Sequence, residues 1–128
     1  MLLVFAFGAA HADNENPAGL TGNGLLTSCS DAIKFFDGDR SKPIMLSASI
    51  CISFTQGFFD GLQAMLLQNI ALRSKGLKPV ACTEQAHVPL SQMVRILEKF
   101  LRDNPQILHE KARVLATAAF SEAFPCKD

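Results

Sequence analysis

Residues 89–105 read PLSQMVRILEKFLRDNP. Leu90, Met93, Val94, Leu97 and Leu101 fall at i, i+3, i+4, i+7 and i+11, the spacing of one apolar stripe on an α-helix. Polar and charged residues fill the other positions, and Asn104-Pro105 breaks the pattern. The stretch predicts an amphipathic helix from about Pro89 to Arg102. Pro105 suits the first turn of another helix with Asn104 as its cap. Its buried face would be Leu108, Ala112, Leu115, Ala119 and Ala123, and Pro125 stops it.

The same spacing extends upstream. Leu25, Leu26, Cys29, Ile33 and Phe36 mark a first helix from about Gly24 to Phe36, with Thr21 or Asn23 able to cap its start and Gly38 to end it. A second runs from near Ile44 to about Ser74. Its apolar residues Ala48, Ile52, Phe59, Leu62, Met65, Leu66 and Leu72 occupy more than one face, as in a helix surrounded by others. Gly57 and Gly61 lie on one side of it and argue for close backbone approach by a neighbour, since glycine costs roughly 1 kcal/mol in a helix interior. Residues 75–89 form the longest irregular stretch. With no strand signal and no repeat, the fold expected is all-α, a small disulfide-stapled bundle of four to five helices in one domain, residues 20–128.

The bridges follow from symmetry. Cys29 and Cys51 are equidistant from Arg40 in the turn-like run 37–43, and Cys82 and Cys126 are equidistant from Asn104. In an antiparallel helix pair, residues equidistant from the turn lie side by side, within the roughly 4.4–6.8 Å between Cα atoms that a disulfide needs. Three pairings are possible for four cysteines, and this symmetry favours 29–51 with 82–126. An even cysteine count in a short exported chain fits such a framework.

Export is read from the N-terminus. Met1 to Ala12 is an apolar run ending in Ala10-His11-Ala12, an A-x-A cleavage signal, so residues 1–12 are expected to be a signal peptide cut after Ala12. No Lys or Arg precedes the run, which points to a start codon further upstream. The polar residues 13–19 then form a flexible mature N-terminus. The run is far shorter than the roughly 20 residues a membrane span needs, no later stretch is long enough to span a bilayer, and the mature protein is expected in a periplasm.

Composition narrows the partners. Twelve acidic and twelve basic residues balance to a formal net charge of zero, without the basic surface that phosphate binding draws on, so no nucleic-acid partner is expected. Cys82, His87, His109 and Cys126 can be assembled on paper as a zinc set. They lack the usual ligand spacing, and oxidation competes for the thiolates. No cofactor is implied. There is no nucleophile elbow, zincin motif or phosphate-cradling loop. Asp37, Asp39 and Asp60 beside glycines read as solvated or capping groups, so no enzyme is expected. Phe58 and Phe59 are adjacent and cannot share one helical face; one of them could reach a neighbouring subunit, as in a homodimer.

Four segments in order carry a resemblance. Residues 23–29 (NGLLTSC) are similar to a G-x-x-L-x-x-x-C opening. Residues 51–61 (CISFTQGFFDG) are similar to C-x-x-aromatic-x-x-G-x-x-D-G. Residues 92–101 (QMVRILEKFL) follow, with Asn104-Pro105 and His109, and residues 119–126 (AFSEAFPC) resemble an A-L-x-x-x-F-P-C ending. Together they resemble the Rap/Tai family of type VI secretion immunity proteins across essentially the whole mature chain. Cys82 departs from it, being followed by Thr83-Glu84 where the family often carries an apolar residue and proline. The resemblance implies a periplasmic, often dimeric helical protein that binds and blocks a secreted peptidoglycan amidase effector. The irregular stretch is then the expected contact loop, with Lys75, Lys78, Glu84 and His87 as its exposed candidates. The alternative is a periplasmic stress or chaperone-like helical protein with no cognate toxin.

Overall fold

Apolar residues at helical spacing become four helices: α1 (Gly22–Phe36), α2 (Lys42–Leu72), α3 (Leu90–Asp103) and α4 (Ala112–Ala123), with a 3-10 turn at Pro105–Ile107 between the last two. The structure is a computed structural model and describes residues 20–72, 80–82 and 87–127. The expectations for the signal peptide (1–12) and the mature N-terminus (13–19) lie outside the described residues. The core is one cluster in which Leu25, Cys29, Val94, Leu97, Leu101 and Phe120 are fully buried. The α3 stripe therefore buries its centre, while its N-terminal Leu90 and Met93 stay half-buried.

α1 ends as its sequence predicts. Gly38 takes φ 113°, a left-handed value that favours glycine, and the N–H groups of Asp37 and Gly38 close onto Ile33 and Phe35. Arg40 stands over the Phe35 ring, 3.9 Å from its centroid, and donates to the Phe35 carbonyl. That contact folds the 37–41 turn back onto α1.

The start of α1 departs from expectation. It begins two residues earlier, at Gly22, and neither Thr21 nor Asn23 caps it through a side chain. Two carbonyls from the far end of the chain do so instead: Gly22 N–H donates to Glu110 O and Asn23 N–H to Leu108 O, both at 2.9 Å. The amide of Asn23 adds a second donor to Leu108 O at 3.2 Å. In return Ala112 N–H, the first of α4, donates to Leu20 O at 2.7 Å. The two helix starts cap each other.

That exchange also corrects the fourth helix. It does not run from Pro105. After the 3-10 turn the chain straightens at Lys111 to form an antiparallel bridge with Thr21, and only then starts α4. Asn104 is turned the other way, its amide donating to Phe100 O at 2.7 Å and closing the end of α3. Ala123 lies exposed, off the buried face formed by Ala112, Leu115, Ala116, Ala119 and Phe120.

α2 is not surrounded. It packs on α1 and α3 and touches α4 through its phenylalanines, while its outer side carries exposed Met45, Leu46, Ile50 and Met65. Gly57 and Gly61 are on that open side, and a Cβ at either would meet nothing within 4 Å. Among the described residues the expected close backbone approach by a neighbour is therefore absent there. Phe58 turns inward with Phe59, their ring centroids 5.5 and 4.6 Å from that of Phe120.

Candidate partner-binding surface

Helix α1 and helix α2 are joined where they cross the core. Cys29 and Cys51 are bonded and fully buried, with Cα atoms 5.0 Å apart. Thr55, one turn below on α2, is also fully buried, and its hydroxyl faces the Cys51 sulfur at 3.8 Å. Asp31 of α1 takes hydrogen bonds from Lys34 and from Ser47 of α2, which hold its carboxyl below the usual value of 3.8. The hairpin is thus fixed by a covalent bond, a turn and polar contacts at its edge.

The second bridge works at the rim. Cys82 and Cys126 are bonded, again with Cα atoms 5.0 Å apart, and both are half-buried. Around them Cys82 N–H donates to Phe124 O at 2.9 Å and the Ser121 hydroxyl to Val80 O at 2.7 Å. These bonds tie the segment before α3 to the end of α4. With each sulfur bonded to the other, Cys82 and Cys126 offer no thiolate to a metal. No group of three or more His, Cys, Asp or Glu among the described residues could hold one.

Of the four candidate contact residues, Lys75, Lys78 and Glu84 lie outside the described residues. His87 is described. It is exposed, with φ 42°, three residues ahead of α3. His109 is exposed beside Glu110 at 3.4 Å. Each acidic residue beside a glycine has a local partner. Asp37 receives Arg95 of α3 at 2.7 Å, Asp39 accepts the Ser41 N–H at 2.9 Å, and Asp60 accepts the Gln56 amide at 2.9 Å. None is arranged as an acid or base.

Two surfaces were not singled out by sequence reasoning. One is an open groove of about 290 Å³ between the end of α3 and α4, lined by Ile96, Lys99, Phe100, Asp103, Asn104 and Glu122 among others. The other is the outer side of α2, where Leu46 keeps 64 % of its surface exposed. The signal for the second was present in the sequence. Between Lys42 and Asp60 the helix carries no charged residue on any face.

Comparison with known proteins gives one family. A family model described as Rap1a immunity proteins matches residues 21–126. No curated protein and no solved structure matches the chain. The matched span opens at Thr21, whose bridge to Lys111 sets the helix starts, and closes at Cys126. It therefore contains all four helices and both bridges.

Proposed function

The chain belongs to the Rap1a immunity protein family, and on that premise we propose that it neutralises a peptidoglycan amidase delivered by a type VI secretion system. An immunity protein is a binding protein for a toxin, not an enzyme. The proposal places this one in the periplasm, after removal of residues 1–12, where it occludes the amidase cleft in a stoichiometric complex. The observation that carries it is the extent of the family match, which takes in the whole helical frame and both disulfides. Two bridges in so small a domain fit an oxidising compartment. Among the described residues no helix is long and apolar enough to cross a membrane.

The frame supports inhibition by shape. A scaffold held by two bridges loses little conformational freedom on binding, which lowers the ordering cost of the complex. Residues 75–89 lie in sequence between α2 and α3, Cys82 among them is bonded to the end of α4, and Lys75, Lys78, Glu84 and His87 are the proposed contacts. The same reading takes the protein as a homodimer.

The test is protection. An exported amidase encoded beside this gene is expressed in the periplasm of a susceptible bacterium, with and without the protein. Lysis is expected with the amidase alone and its suppression when both are present. The purified pair is expected to elute as one complex in which amidase activity is lost. An amidase that keeps full activity under excess protein counts against the reading. N-terminal sequencing of the exported protein is expected to begin at Asp13.

A further inference from the structure

We propose that the rim bridge Cys82–Cys126 is a latch for toxin binding: closed, it holds the contacts in place, and opened by a dithiol it leaves a folded protein that inhibits far less. The latch rests on the immunity reading above and names what controls it. Lys78 precedes Val80 by two residues and Glu84 follows Cys82 by two. At most about 7 Å of chain therefore separates either charged contact from residues 80–82. Whatever fixes Val80, Ala81 and Cys82 bounds where those contacts can lie.

These three residues form a short strap on the end of α4. Ala81 is buried, 1 % exposed, while Val80 keeps 39 % of its surface open. Cys82 N–H donates to Phe124 O at 2.9 Å and the Ser121 hydroxyl to Val80 O at 2.7 Å. Among the described residues, the strap's polar contacts are these two hydrogen bonds, and its one fully buried side chain is a methyl. A neutral hydrogen bond returns on balance no more than ordering one residue costs. Two of them and a methyl do not offset holding three residues in place, so the bridge decides whether the strap stays closed.

His87 is a second sign of the same hold. It is exposed and has φ 42°, a left-handed value uncommon outside glycine. Such a backbone persists where its surroundings constrain it. Here the constraint comes from two sides, the bridge five residues before it and Pro89 at the start of α3 two residues after it. Opening the bridge removes one of them. Both rim cysteines are half-buried and within reach of a small reagent. A thiolate of the dithiol attacks one rim sulfur and the other cysteine leaves as a thiolate. The reagent's second thiol then displaces the mixed bond. The protein ends with two thiols and the reagent with the disulfide.

The purified amidase encoded beside this gene is assayed against the parent, C82A/C126A and Gly22→Ala. C82A/C126A is expected to need about 100-fold more protein for the same inhibition, with the circular dichroism spectrum of the parent. The loss should fall on the association rate, since only molecules with the strap closed are competent to bind. Gly22→Ala disturbs the caps between α1 and α4, away from the strap, and should inhibit as the parent does. Hydrogen exchange of the amide at position 82 should be at least about 100-fold faster in C82A/C126A than in the parent. Parent treated with a dithiol and desalted should lose inhibition to the same degree, and reoxidation should restore it.

C82A/C126A inhibiting like the parent, or keeping the amide at position 82 protected, overturns the latch and leaves the immunity reading intact. An equal loss in Gly22→Ala overturns it as well, because stability would then be the cause. So does a loss of helix content when the bridge opens, which would mean that the bridge holds the fold. A parent that leaves the amidase active overturns the immunity reading, and the latch with it.

Discussion

Among the described glycines, Gly22 has the least room. A Cβ placed on it would lie 2.4 Å from Leu115 Cδ1 and 2.8 and 2.9 Å from the carbonyl oxygen and Cα of Leu108. The leucine side chain could shift, but the Leu108 backbone cannot without pulling apart the exchange of caps between α1 and α4. Gly22→Ala is expected to cost about 1–3 kcal/mol, as overpacking does, read as a lower midpoint in urea. Thr55→Val should cost less than removing a buried polar group suggests. Among the described residues its hydroxyl meets a disulfide sulfur at 3.8 Å, a weak partner, so a same-shaped apolar replacement should change stability by less than about 1 kcal/mol. The carboxylates set the pH response. Asp31, Asp39 and Asp103 are all held below their ordinary value of 3.8, by Lys34, by Ser41 and by Lys99 respectively. A carboxyl depressed by folding adds stability above its unfolded value and loses it as pH falls through the folded one. Their contribution should stay constant from pH 7 to about 5 and fade only below about 4, which thermal melts across that range would show. Glycines were the least legible residues. Gly38 declared its turn, because it follows the last apolar position of α1. Nothing local marks Gly22, since the wall it abuts comes from residues 108 and 115.

Legibility at the level of elements divides by the distance of the partner. α3 could be read from its own stripe, since the period that places Val94, Leu97 and Leu101 on one side also buries them. The end of α1 was equally local. The start of α4 was not. Asn104-Pro105 is a sound helix-start signal, and the chain does turn there for three residues. What overrides it is the strand-like bridge of Lys111 to Thr21, a pairing across the whole chain that local propensity does not contain. Asn104 is free to serve α3 instead, and its amide bond to Phe100 O is part-buried at 2.7 Å. Asn104→Ala is therefore expected to cost about 1 kcal/mol through the end of α3. Hydrogen exchange should show faster exchange in the last turn of α3, and an unaltered start of α4. A loss of protection at residues 112–115 instead would mean that Asn104 caps forward after all. The outer side of α2 failed to be read for a different reason. Apolar residues on more than one face of a helix signal burial, but they do not say whether the cover belongs to the same chain.

For the whole molecule the two bridges divide the labour unequally. Cys29–Cys51 closes 22 residues of sequence and Cys82–Cys126 closes 44. On chain-entropy grounds the first restricts the unfolded chain by about 3 kcal/mol and the second by about 4. Their exposure runs the other way. Both sulfurs of the first bridge belong to residues buried in the core between α1 and α2, whereas Cys82 and Cys126 are half-buried at the rim. Thiol exchange requires an attacking thiolate to reach a sulfur, so the bridge that constrains more of the chain is also the easier one to break. A small dithiol applied under native conditions, followed by alkylation and mass mapping, should label Cys82 and Cys126 first. The intermediate should keep Cys29–Cys51, since reaching that bond requires α1 and α2 to separate. Its helix content should stay near that of the oxidised protein, because the caps between α1 and α4 and the core around Phe120 do not depend on the rim. It should nevertheless unfold at a lower denaturant concentration, by an amount close to that of a C82A/C126A variant. Simultaneous labelling of all four cysteines would mean that the rim bridge holds the core shut, and that the two staples are one cooperative unit.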